Sequence, residues 1–257
     1  MTNKYRRARK KRKKWWPYLV SCFLLAALGS GIGAYLAKPN LFSDLQFWKA
    51  KKTVVTTPSS SKKKEEKSDL PAVSTKDWQL ILVNRDNVKP ELNPQLTDVD
   101  AIKVDSRIGD PTRQFLEAAR KIAPEETLIS GYRSVAEQTE LYNERVAELE
   151  ASGLSHEEAE KQVQTQVQVP GASEHQTGLA IDMSVEAGQS DELGLKLAAI
   201  APQYGFVLRY PDGKSDITGV TFENWHFRYV GVESAQYMAK HQLVLEEYIQ
   251  LLKKAGK

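Results

Sequence analysis

Hydrophobic and polar positions change pattern three times along the 257 residues. Residues 1–14 hold nine basic side chains and no acid, and Trp15 to Ala37 is an uncharged run of 23 residues. At about 1.5 Å per residue such a run can cross the roughly 30 Å hydrocarbon core of a bilayer. Basic flanks stay on the cytoplasmic side, so residues 15–37 are read as a transmembrane anchor with everything after Lys38 outside the cell. Trp15, Trp16 and Tyr18 suit the interfacial aromatic belt. A cleaved signal peptide, using Gly31-Ile32-Gly33, is the competing reading, but the run exceeds an ordinary signal-peptide core and an uncleaved anchor is expected. Residues 38–75 are polar and charged, with too few apolar side chains to order themselves, and read as a flexible tether.

From Lys76 to Lys257 the apolar positions take on the periods of ordinary secondary structure, and one domain is expected. Leu80-Ile81-Leu82-Val83 reads as a buried strand, and Asn84 to Asp100 as turns. Phe115, Ala118, Ala119 and Ile122 have helical spacing. Leu128 to Arg133 reads as a strand running into a turn. Ser134-Val135-Ala136-Glu137 is a capping box opening a helix to Leu149, and Ser155-His156-Glu157-Glu158 opens a charged helix ending before Pro170. Strands follow at Leu179 to Met183, Phe206 to Arg209 and Trp225 to Val230, with a helix near Asp191 to Ala201. An amphipathic helix from Glu233 to Leu252 closes the chain. This irregular succession predicts an α+β fold, a small antiparallel sheet flanked by helices.

Charge narrows the partners. The whole chain is formally +3, yet residues 76–257 carry 19 basic and 29 acidic side chains. Nucleic acid is therefore excluded as the domain's partner, since phosphate binding needs the opposite sign. The basic tail is topogenic and drawn to anionic lipid. Cys22 is the sole cysteine and lies in the apolar run, which leaves the domain without disulfides or a cysteine nucleophile.

The candidate chemistry is concentrated in Ser173-Glu174-His175-Gln176-Thr177-Gly178-Leu179-Ala180-Ile181-Asp182 and in Glu223-Asn224-Trp225-His226. Two imidazoles and a carboxylate are enough to hold zinc with one position open for water, and a second carboxylate can take that water's proton. Asp182 sits in an apolar run, where a carboxylate is costly unless paired or metal-bound. His175 and Asp182 are seven positions apart, so a bend at Thr177-Gly178 has to bring them together. Each residue alone would be an ordinary turn histidine, core histidine or surface acid; four together are not. Arg133, at a strand end, could bind a substrate carboxylate or be a surface ion pair. Gln138 and Ser173 are candidate pocket residues. His156 lies among glutamates and His241 in the closing helix; both are set aside.

Ser173-x-His175-x-x-Gly178-x-Ala180-x-Asp182 with Glu223-x-Trp225-His226 resembles the signature of VanY-like D-alanyl-D-alanine carboxypeptidases, zinc peptidases of bacterial cell walls. Leu82-Val83-Asn84 and Ser130-Gly131-Tyr132-Arg133-Ser134 with Gln138 share the likeness, which spans about residues 76–250. It implies one zinc ion on His175, Asp182 and His226 at the sheet face, and Glu223 as catalytic base and acid. Arg133 would contact the substrate, and Ser173 and Gln138 would line the pocket. The implied substrate is a peptidoglycan stem peptide losing its terminal D-alanine at a D,D or L,D bond. The anchored layout resembles the L,D group, so the expectation leans that way. An endopeptidase or amidase of the same superfamily, and a non-catalytic wall-binding module, are the alternatives. No role is assigned to residues 155–168.

Overall fold

The structure, a computed structural model, describes residues 69–257. The basic tail, the apolar run and the tether up to residue 68 lie outside them, and among the described residues no helix is long and apolar enough to cross a membrane. Leu96–Val99 (β1) and Ile102–Asp105 (β2) form an antiparallel hairpin. Thr127–Ser130 (β3), Ala180–Ser184 (β4), Phe206–Tyr210 (β5) and Glu223–Tyr229 (β6) form a four-stranded sheet in the order β3-β4-β6-β5, every neighbour antiparallel. The helices are Gly109–Ile122 (α1), Val135–Ala151 (α2), His156–Val163 (α3), Asp191–Ile200 (α4), the short Ser215–Thr218 (α5), Val232–His241 (α6) and Leu245–Lys254 (α7). The class is α+β, with helices flanking a small antiparallel sheet.

Alternation along the strands separates two faces. Ile181, Met183, Phe206 and Phe227 point into a core completed by Phe115, Leu116 and Ala119 of α1 and Leu197 of α4. Phe115 is fully buried, its ring centroid 5.3 Å from that of Phe206 and 5.1 Å from that of Phe227. A side chain at Gly194 would put its Cβ 2.4 Å from the Asn224 carbonyl, so only glycine lets α4 lie this close to β6. On the opposite face, Val207 packs with Leu70, Leu80, Met238, Leu245 and Tyr248, against α6, α7 and the start of the domain. Leu70 is buried, so the packed body begins ahead of Lys76.

Three elements differ from expectation. Leu80 to Val83 is not a strand: Trp78–Leu80 is a 3₁₀ turn, and Arg228 donates to the carbonyls of Gln79 and Ile81. An arginine thus satisfies backbone that a neighbouring strand would otherwise pair. Within the expected turns, β1 opens a hairpin of four-residue strands, too short for its alternation to stand out. The closing helix is two helices. Gln242 takes a left-handed conformation (φ 55°), and Glu247 accepts the Val244 N–H at 2.9 Å to start α7 on a new axis. Residues 155–168 also gain a structural account: α3 ends at Val163, and Ala159 and Val163 pack on Tyr142 and Val146 of α2 as a satellite core.

Candidate metal centre and active site

His175 lies in a 3₁₀ turn, Glu174–Thr177, whose first N–H groups are capped by Ser173: its hydroxyl accepts from His175 N at 3.4 Å. Gly178 ends the turn at φ 68°, and a Cβ there would sit 2.7 Å from Asp105 N, so the expected bend needs a glycine on two counts. Beyond it, β4 carries Asp182 opposite His226 of β6. Cross-strand partners share a face, and the register therefore places this carboxylate and imidazole side by side.

Glu223 reaches the same place through an irregularity. Leu208 pairs with Phe227, but Tyr210 pairs with Glu223, so β6 runs more residues than β5 between the two pairs. In a regular strand, residues three apart point to opposite faces; the bulge turns Glu223 onto the His226 side. Its Oε2 lies 3.7 Å from His226 Nδ1.

His175, Asp182 and His226 each offer a ligand atom within 4.8 Å of the others. His175 Nε2 is 3.4 Å from Asp182 Oδ2, and His226 Nδ1 is 3.0 Å from Asp182 Oδ1. Edges of about 3.4 Å are what a tetrahedral zinc with bonds of about 2.0–2.2 Å requires. His175 Nδ1 donates to the Gly131 carbonyl at 2.7 Å, which leaves Nε2 as the free lone pair. Asp182 Oδ1 is buried without a hydrogen bond from the protein. Two imidazoles and a carboxylate, one of whose oxygens is orphaned, fit a zinc ion.

The protein's own charges point the same way. Burial works against the Asp182 carboxylate, but His175 and His226 outweigh it and hold its pKa well below the usual range. Burial also lowers His175. Burial pushes Glu223 up to about 8, opposed by His226 and reinforced by Asp182. His226 resists its own burial and rises to about 9, through Asp182, Glu174 and Glu223. The carboxylates here compete for one imidazole's positive charge, which a dication between them would supplement.

Arg133 completes the cluster. Its backbone N–H donates to the His175 carbonyl at 3.2 Å, and its Nη1 and Nη2 donate to Gln138 Oε1 (2.8 Å) and Ser130 Oγ (3.2 Å). Burial lowers its pKa, with Asp182, Glu137 and Glu223 opposing. A guanidinium held by neutral partners keeps its charge for a ligand. Gln138 is buried and also donates to the Gln168 carbonyl at 2.6 Å, so both ends of its amide serve the protein. It holds Arg133, where the sequence reading had it lining the pocket.

Comparison with known proteins places the chain in one family. A sequence profile for VanY, D-alanyl-D-alanine carboxypeptidase, fits residues 101–232. The chain belongs to the VanY family. A D-alanyl-D-alanine carboxypeptidase of Enterococcus faecalis is 39% identical over 68% of this chain and 66% of its own length. The matched region spans about a third to two thirds of the length of the curated relatives. Among solved structures, a vancomycin-resistance D,D-pentapeptidase VanY in complex with Zn(II) is 38% identical, with a TM-score of 0.63 over 67% of this chain and 99% of that one. The LD-carboxypeptidase LdcB, solved for its recognition of peptidoglycan, is 32% identical, with a TM-score of 0.56 over 66% of this chain and 84% of that one.

The VanY-family site of this chain has a rear wall that sequence reasoning passed over. Arg209, Arg228 and Glu174 are among its most buried side chains. Glu174 Oε1 accepts from Arg209 Nε (2.8 Å) and Arg228 Nη1 (2.9 Å). Arg209 also forms a two-pronged pair with Glu246 of α7 at 2.9 and 2.6 Å, and Asn84 Nδ2 donates to Glu246 Oε1 at 3.0 Å. Tyr210 packs its ring 4.9 Å from that of His226. The signal was present: arginines inside the apolar runs Phe206–Tyr210 and Trp225–Val230 are costly unless paired. His156 and His241 stay out of the site; His156 Nδ1 pairs with Glu150 at 2.9 Å and His241 Nε2 with Asp69 at 3.4 Å.

Proposed function

We propose that this protein is a zinc-dependent carboxypeptidase that removes the terminal D-alanine from peptidoglycan stem peptides, on the outer side of the cell membrane. The observation carrying this reading is the convergence of His175, Asp182 and His226 within 4.8 Å beside a buried acid and a restrained arginine. His175 Nε2, an Asp182 oxygen and His226 Nδ1 would hold the ion. Bound there, zinc supplies Lewis acidity towards a water and the scissile carbonyl.

The chain's own groups do the rest. Glu223 takes the proton of the attacking water and returns it to the departing amine, a role its buried carboxyl beside His226 is placed to serve. Arg133 binds the substrate's terminal carboxylate, and Gln138 and Ser130 hold it in place. Ser173 caps the turn that presents His175. A terminal-carboxylate clamp favours a carboxypeptidase over an endopeptidase or amidase, and a retained base beside three ligands favours turnover over wall binding alone. Identities of 38–39% to relatives named for D,D activity, against 32% for LdcB, favour the D,D bond over the L,D bond that the layout suggested.

Residues 1–14, 15–37 and 38–68 supply the cytoplasmic tail, membrane anchor and tether in this proposal. Their charge asymmetry and uncharged run support it, placing the domain at the inner face of the wall. The test is to incubate the zinc-loaded full chain in detergent with defined tri-, tetra- and pentapeptide stems and with cross-linked dimers, and to weigh the products. Release of one D-alanine from the pentapeptide is expected. Cleavage of dimers without D-alanine release from any stem would overturn the carboxypeptidase reading.

A further inference from the structure

The Glu174 carboxylate is divided between two tasks. Oε1 is committed to Arg209 and Arg228 at 2.8 and 2.9 Å. Oε2 has no hydrogen-bond partner in the protein, is fully buried, and lies 3.7 Å from His226 Nε2, which is equally orphaned. Two buried polar atoms of opposite character therefore face each other, neither with another hydrogen-bond partner. On the far side of the same ring, Nδ1 faces Asp182 Oδ1 at 3.0 Å and Glu223 Oε2 at 3.7 Å.

We propose that Glu174 is a positioning residue for the metal centre: it holds the Nε2–H of His226 and so commits Nδ1 to the ion. A neutral imidazole has one N–H, and a hydrogen bond at one nitrogen decides which lone pair is left for a metal. His175 uses the opposite arrangement, giving its Nδ1–H to Gly131 and keeping Nε2 free. The two rings, 5.1 Å apart and nearly perpendicular, thus present different nitrogens to one point. Arg209 and Arg228 neutralise Glu174 directly, on the same oxygen. The buried charges thereby lock the carboxylate's orientation instead of leaving it to rotate.

The inference rests on the zinc reading, and the experiment separates the two. Zinc stoichiometry and dissociation constant are measured by chelator competition on the full chain, for the wild type, Glu174→Gln and Glu246→Gln. A glutamine at 174 would give its oxygen to the arginines and turn its NH₂ on Nε2, opposing donor with donor. Weakening of about 10–100-fold is expected for Glu174→Gln. Glu246→Gln, which disturbs the same arginine without touching His226, should stay within about threefold of the wild type, on the same scale. Equal zinc affinity in Glu174→Gln and wild type, or equal losses in the two variants, would overturn the assignment. A wild type that takes up no zinc would instead overturn the zinc reading. If Glu174→Gln does not fold, long-range ¹H–¹⁵N spectra of the zinc-loaded wild type decide. A protonated Nε2 and a metal-shifted Nδ1 on His226 support the proposal, and the reverse assignment defeats it.

Discussion

Two buried polar clusters share one face of the same sheet, and they differ in how completely they are paired. In the rear cluster, Arg209, Arg228, Glu174 and Glu246 exchange hydrogen bonds of 2.6–2.9 Å, and one oxygen, Glu174 Oε2, is left over. In the front cluster, Asp182 Oδ1 is orphaned, Glu223 carries a raised pKa, and the histidine nitrogens meet carboxylates at distances set for something between them. Satisfied buried charge specifies structure, whereas unsatisfied buried charge waits for a ligand. The single leftover atom of the rear cluster points at the front one, and there the scaffold becomes part of the chemistry.

Breaking the front cluster should abolish function and spare the fold. His226→Ala should lose zinc and all turnover. Glu223→Ala should keep zinc while kcat falls about 10²–10⁴-fold, the usual worth of a positioned general base. Steady-state assays beside metal analysis check both, and near-normal turnover in Glu223→Ala would remove it from the proton path. Arg133→Lys should cost about tenfold to a hundredfold in kcat/KM, since lysine keeps the charge but not the fork that Gln138 and Ser130 orient. If a stem peptide amidated at its C-terminus were hydrolysed as well as the free acid, Arg133 would not be reading a carboxylate.

Breaking the rear cluster at its outer end should do the reverse. Glu246→Gln leaves Arg209 underpaired in the interior and should cost about 2–4 kcal/mol in urea unfolding, with zinc retained. An unchanged unfolding midpoint would mean the network adds nothing to stability. The smallest effect should come from Glu126, buried at the end of α1's connection to β3, with neither carboxylate oxygen hydrogen-bonded. Burial raises its pKa from 4.5 to about 7. Below 4.5 it is protonated folded or unfolded; between 4.5 and about 7 only the unfolded state ionises, so stability falls as pH rises through that window and is level above it. Glu126→Gln should flatten this slope and gain about 1–3 kcal/mol at pH 8, with little change at pH 4. Urea titrations at the two pH values check it, and parallel curves for both proteins would dismiss Glu126 as the source.

Much of the molecule was legible from local signals. Both capping boxes open helices where Ser134 and Ser155 placed them, because side-chain to backbone bonding three residues away needs no tertiary contact. Strands β4, β5 and β6 lie within a few residues of expectation, since buried apolar runs announce themselves. Leu80 to Val83 misled because the same run can be buried under an arginine as well as beside a strand. Gln242 concealed the end of α6, as apolar spacing continues across the turn that redirects Glu246 towards Arg209.

Residue type and spacing supplied the fold class, the candidate side chains and the expectation of an anchor, because donor chemistry and periodicity are local properties of the chain; the roles of ligand and base came from the family resemblance those residues carry. Only the tertiary structure decided which atoms meet. Register set Asp182 beside His226, a bulge turned Glu223 to their side, and packing brought Glu174 Oε2 to 3.7 Å from His226 Nε2. Such pairings depend on strand registration and packing across long stretches of sequence, where a one-residue slip would send every side chain to the opposite face.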